Sequence, residues 1–141
     1  MLSTPRAFWW VNHKQTFNAE IEGGYIWSPK RKNNGKFNQT YENLTKVRPG
    51  DVIISYANTQ IQAIGIANAP AQEQGKPEEF GQGVGTNWSR DEGWLVPVEW
   101  TLLTNPIKPK DHIDQIASLL PSKYAPIRAD GNGNQGCKLS K

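Results

Sequence analysis

The chain has 141 residues, 36% of them hydrophobic, with a formal net charge of +3, one cysteine and six tryptophans. That length fits a single domain over residues 1–141 with a core of its own, and a mean hydropathy of −0.67 comes with no apolar run near the roughly 18 residues of a membrane helix. The single cysteine, Cys137, excludes an internal disulfide and a cysteine-rich zinc site; with no secretory hydrophobic region at the N-terminus, the expected location is a reducing cytoplasm.

Arg6 to Asn12, RAFWWVN, has the length and composition of a strand. Trp9 and Trp10 then point to opposite faces, one to the core and one to a pocket or a covering element. Phe17 to Ile21 allows one helical turn before Gly23-Gly24 breaks it. Tyr25-Ile26-Trp27 is an aromatic strand that runs through Ser28-Pro29 into a basic, Asn-rich loop. There Lys30, Arg31, Lys32 and Lys36 fall within seven residues with no acid among them. Tyr41, Leu44 and Val47 recur at helical spacing behind Asn38 as N-cap. Pro49-Gly50-Asp51 makes a tight turn, Val52 to Ala57 alternates, and Ile61 to Ala67 closes a hairpin in which Gly65 invites close backbone approach.

Asn68 to Arg90 loses periodicity, and its two large apolar groups, Phe80 and Trp88, predict a long loop that folds back on the body. Gly93 to Leu103 alternates, with Trp94, Val96, Val98, Trp100 and Leu102 on one face. Pro97 on the other face predicts an edge strand or a bulge. Pro109 to Leu120 reads as a helix with Ile113, Ile116, Leu119 and Leu120 as its stripe, and the tail crosses Gly131 to Gly136 into a last strand at Cys137 to Leu139. The sum is α+β: a small twisted, partly open β-barrel of five or six strands with a few outer helices.

The chemistry of common enzymes is missing from the sequence. It has no GxSxG, P-loop, HExxH or GxGxxG after a strand, and neither His13 nor His112 sits in a ligand cluster. Glu78-Glu79 and Asp91-Glu92 read as surface charge. No cofactor or metal is implied, and a catalytic role is not expected. An exposed-looking tryptophan, Trp27, beside a cationic loop instead predicts a pocket for something flat.

The segments FWWVN, GGYIWSPK, Tyr41 through Pro49-Gly50-Asp51 to Tyr56, IQAIGIA, KPEEF, LLPSKYAPIR and GNGNQG together resemble the EVE-type domains of the PUA superfamily found at the N-terminus of bacterial HNH modification-dependent restriction endonucleases. The resemblance runs from about Phe8 to Leu139. It implies a module that binds double-stranded DNA and flips a modified cytosine, 5-methyl or 5-hydroxymethyl, into an aromatic-walled pocket, as members of a superfamily that includes YTH and SRA domains do. The chain has no ββα-metal motif, so the resemblance covers the reader half, with cleavage left to a nuclease domain elsewhere.

An extruded base gives up stacking worth a few kcal/mol, which a pocket must replace with aromatic faces and edge hydrogen bonds. On this reading Trp27, Tyr56 and Trp88 are walls and Trp10 is available to the same pocket. Ser28, Asn43 and Asn12 offer groups for a Watson–Crick edge. Lys30, Arg31, Lys32 and Lys36 contact phosphates, and Asn134 and Gln135 contact the duplex. The competing expectations are an RNA- or N6-methyladenine-reading YTH-like domain, a small-molecule or nucleotide-binding protein, and a structural interaction domain with Trp27 and Trp88 buried.

Overall fold

A computed structural model of the chain describes residues 7–31, 36–80, 92–112 and 138–140. One mixed sheet contains strands β1 (Phe8–Asn12), β2 (Tyr25–Pro29), β3 (Val52–Ala57), β4 (Gln60–Ala67), β5 (Gln72–Glu73), β6 (Gly93–Ile107) and β7 (Leu139–Ser140). Their order is β2-β6-β4-β3-β1-β7, with β5 paired to β6. β1 runs parallel to β3, and the other described pairs are antiparallel. The sheet curls into a half-barrel, accompanied by two short helices, α1 (Phe17–Gly23) and α2 (Gln39–Glu42): an α+β fold. No helix among the described residues is long and apolar enough to cross a membrane.

Local chemistry sets the element ends. Asn38 caps α2, its Oδ1 accepting from the Thr40 N–H at 2.9 Å, and Gly24 ends α1 in the left-handed region at φ 74°. Asn58 and Thr59 both take positive φ in the two-residue turn between β3 and β4. Asp51 ties the turn before β3 to the start of β1, accepting from Trp9 Nε1 at 3.0 Å and from the Ala7 and Arg48 amides. At Gly65 an added Cβ would lie 2.4 Å from Val98 Cγ1 and 2.7 Å from Trp100 Cε3, so two side chains of β6 lie directly on the β4 backbone.

The main core fills the inside of the curl with Trp9, Val11, Ile26, Leu44, Val47, Ile53, Val96, Val98 and Leu139. A second cluster, Tyr25, Trp27 and Phe80 with Ala19 and Leu95 against it, covers the other face of β2. β2 is therefore buried on both faces.

Two expectations from sequence are revised. β6 is no edge: it pairs with β2 on one side and with β4 and β5 on the other, and Pro97 lies opposite Tyr25. The Val98 N–H donates toward β2, to the Gly24 carbonyl, while the Pro97 carbonyl accepts from Asn68 on the opposite side. The missing proline N–H thus faces the point where β4 ends at Ala67, so no ladder bond is lost. β6 also continues to Ile107, and Pro109–His112 forms a 3-10 turn; residues 113–120 of the expected helix lie outside the described residues.

Candidate functional site

The expected site residues fall into three separate places. At the β2 end, Trp27 is fully buried, which corrects its exposed-looking placement. Its Nε1 donates to the Gln74 carbonyl at 2.8 Å, Phe80 meets it edge-on at 5.7 Å, and Gly93 leaves room for the ring where a Cβ would approach to 2.3 Å. Burial of β2 on both faces is the physical reason. Ser28 beside it is buried too, and its hydroxyl donates to the Pro29 carbonyl.

On β1 and β3, half-buried Trp10 lies 5.2 Å from the ring of buried Tyr56, whose phenol pKa is raised by burial. Trp10 Nε1 donates to Asn12 Oδ1 at 2.8 Å. Asn43 is elsewhere again, accepting from Gln39 Nε2 and donating to the Leu139 carbonyl, so it docks β7. Trp88, Lys32, Asn134 and Gln135 lie outside the described residues.

The arrangement best suited to a flat ligand centres on Trp94, which sequence reasoning placed on the alternating face of its strand without a site role. Trp94 is half-buried and packs against the main core. Across the ladders it is flanked by Ser28 on β2 and Glu73 on β5. Lys30 Nζ sits 4.4 Å from the ring centroid, paired with Glu73 and 3.8 Å from Glu92 Oε2. The Glu73 bond raises the Lys30 pKa above the usual lysine value. Trp94 Nε1 is buried with no hydrogen-bond partner among the described residues, a deficit worth about 1–3 kcal/mol. The site is an aromatic face under a cation. Next along the chain, the Arg31 guanidinium lies 5.4 Å from the ring of exposed Phe37.

No protein-family model matches this sequence, and neither does any curated protein. Solved structures do match. The N-terminal domain of Staphylothermus marinus McrB superposes with a TM-score of 0.50 at 15% identity, covering 84% of this chain and 86% of that one. The Pho92 YTH domain, determined in complex with m6A, gives 0.50 at 10% identity over 79% and 68% of the two chains. A Pseudomonas putida protein gives 0.53 at 13% identity over 94% and 89%. The chain shares its fold with the McrB N-terminal domain and the Pho92 YTH domain.

The fold also holds a buried polar network. His13 Nε2 lies 2.6 Å from Ser55 Oγ and its Nδ1 lies 3.0 Å from Glu20 Oε1. The Glu20 carboxylate only accepts, so Nδ1 carries the proton and Nε2 accepts from the serine. The spacing is that of a nucleophile, a base and an orienting acid. Ser55 and Glu20 are nevertheless fully buried and His13 is 3% exposed, so the three groups are shielded from solvent. The same carboxylate also takes Lys138 Nζ at 2.8 Å, Thr16 Oγ1 at 2.5 Å and the Trp27 amide at 2.6 Å. The network locks α1, β2, β3 and the β7 segment together. In sequence, His13, Thr16 and Glu20 are spaced three and four apart, as on one helix face, while Ser55 and Lys138 arrive from far along the chain.

Burial lowers the His13 pKa, outweighing the pull of Glu20. Burial alone would raise Glu20, but the Lys138 ammonium and the His13 hydrogen bond bring it down to about 2. In acid the unfolded chain therefore takes up protons that the folded chain refuses: at His13 below its ordinary 6.5 and at Glu20 below its ordinary 4.5. Stability contributed by the network is complete above the higher of these values and declines as pH falls. Urea midpoints measured across the acid range should drop through the histidine window and more steeply through the carboxylate window. A midpoint that rises on acidification contradicts this network.

Proposed function

We propose that the chain is a nucleic-acid-binding module that reads a modified base by flipping it against an aromatic face, with 5-methyl- or 5-hydroxymethylcytosine in DNA as its target. Trp94 carries the reading: its half-buried ring packs against the main core and holds the Lys30 ammonium 4.4 Å from its centroid, a movable side chain over an aromatic surface. Stacking on such a face is worth about 1–3 kcal/mol per base, enough to offset much of the cost of extrusion. The likeness of fold to the McrB domain and to a YTH domain holding m6A supports a base-reading role. Arg31 and Lys36 supply cationic groups for phosphates, which makes affinity salt-dependent. In this reading the chain is the reader half of a modification-dependent restriction system, in the cytoplasm, and cleavage belongs to a separate nuclease domain.

The m6A in the YTH structure favours a second reading, an N6-methyladenine or RNA reader. Fluorescence polarisation at fixed moderate salt separates the two. The ligands are matched short duplexes carrying cytosine, 5-methylcytosine, 5-hydroxymethylcytosine or N6-methyladenine, with a matched RNA carrying N6-methyladenine. The expected result is a preference for one modified cytosine that Trp94→Ala weakens by about 1–3 kcal/mol, the value of one stacked base. Preference for the methylated RNA moves the YTH-like reading ahead. Equal weak binding to every ligand removes the base-reading role.

A further inference from the structure

We infer that Lys30 is a strap across the Trp94 face, an internal competitor that a flat ligand must displace. The inference rests on the Trp94 site proposed above and assigns Lys30 a role opposite to phosphate binding. The geometry is specific. Ser28, Trp94 and Glu73 lie side by side across β2, β6 and β5, and Lys30 leaves the end of β2 two residues after Ser28. Its side chain crosses over the indole at 4.4 Å and reaches Glu73 on the far strand, with Glu92 Oε2 at 3.8 Å. The ammonium therefore spans the middle strand with the ring beneath it.

The backbone around the strap is pinned. The Lys30 amide donates to the Glu92 carbonyl at 3.2 Å, and the Gln74 amide donates to the Gly93 carbonyl at 3.0 Å. Opening needs only rotation of the lysine side chain. Glu73 and Glu92 are well exposed, so the pairs are screened by solvent and hold the strap lightly. The local charge argues against a phosphate contact: one ammonium between two carboxylates leaves a net negative spot, which repels a phosphate. A base edge and face carry no such penalty.

Two readouts test the strap, one without ligand and one with it. Acrylamide, an uncharged quencher, reports the exposure of Trp94, taken as the difference between each protein and its Trp94→Phe counterpart. Lys30→Ala should increase quenching of Trp94, and Glu73→Gln, which frees the strap and leaves the lysine in place, should move it the same way. On the modified duplex that the wild type prefers, Lys30→Ala should tighten binding about three-fold to five-fold, the size of one exposed cation–π contact removed from competition. Unchanged Trp94 quenching in both variants overturns the inference whatever the DNA result. Weaker duplex binding by Lys30→Ala also overturns it and returns Lys30 to the phosphate-contacting set. If quenching rises while no duplex binds wild type or variant, the strap stands and the base-reading proposal fails.

Discussion

Glu20→Gln is expected to cost the fold about 3–5 kcal/mol, the range for breaking a buried ion pair by removing one partner. The carboxylate has no exposed surface, and one of its oxygens receives Lys138, His13 and Thr16 while the other receives the Trp27 amide. An amide of the same shape cannot accept all of these, and it leaves the Lys138 ammonium buried without a counter-charge. Lys138→Met attacks the same pair from the other side and strands a carboxylate where burial opposes its charge. Its loss should be of similar size. Urea unfolding of both variants near neutral pH measures the two costs. A loss below about 1 kcal/mol, the value of an exposed pair, would mean that water reaches the network and that it does not hold β7 in place.

Trp27→Ala should cost about 3–5 kcal/mol as well, the usual price of emptying a large aromatic site in a core. The ring is fully enclosed, its N–H satisfies the Gln74 carbonyl, and Phe80 and Gly93 are packed to its outline. Trp94→Ala should be much milder, because that ring is half-buried and its N–H gives up no bond. Thermal unfolding of the two variants side by side, together with their duplex affinities, separates the roles. The expected pattern is a large fall in midpoint for Trp27→Ala, and for Trp94→Ala a small fall with lost binding. If Trp27→Ala keeps its midpoint and loses binding, the aromatic wall is Trp27 and the outer cluster opens to ligand.

Much of the frame follows from short-range chemistry. The alternation in FWWVN sends Trp9 into the core and leaves Trp10 half-buried, Asn38 caps its helix, and Gly24 and Gly50 take the positive φ their turns require. Gly65 meets the side chains of β6, the close approach that a glycine within a strand invites. The cap, the turns and the alternation depend on neighbours a few residues away, so their signal is present in the sequence.

The site depends on neighbours that are not. Whether Trp27 or Trp94 faces a ligand turns on Phe80 packing over Trp27 and the Gln74 carbonyl taking its N–H, an arrangement no periodicity encodes. Lys30 reads as one of four adjacent cations until Glu73, distant in sequence, is brought beside Trp94 and captures it. His13 reads as a turn residue outside any ligand cluster until Ser55 meets its ring and Lys138 joins it on Glu20, and Pro97 looks like an edge marker until β4 ends beside its missing N–H. Sequence alone determined which segments could be strands, turns and caps, because backbone preferences are local. The tertiary structure decided which aromatic is core, which cation is committed and which polar groups are locked away, because burial and charge pairing are set by whatever the fold brings into contact.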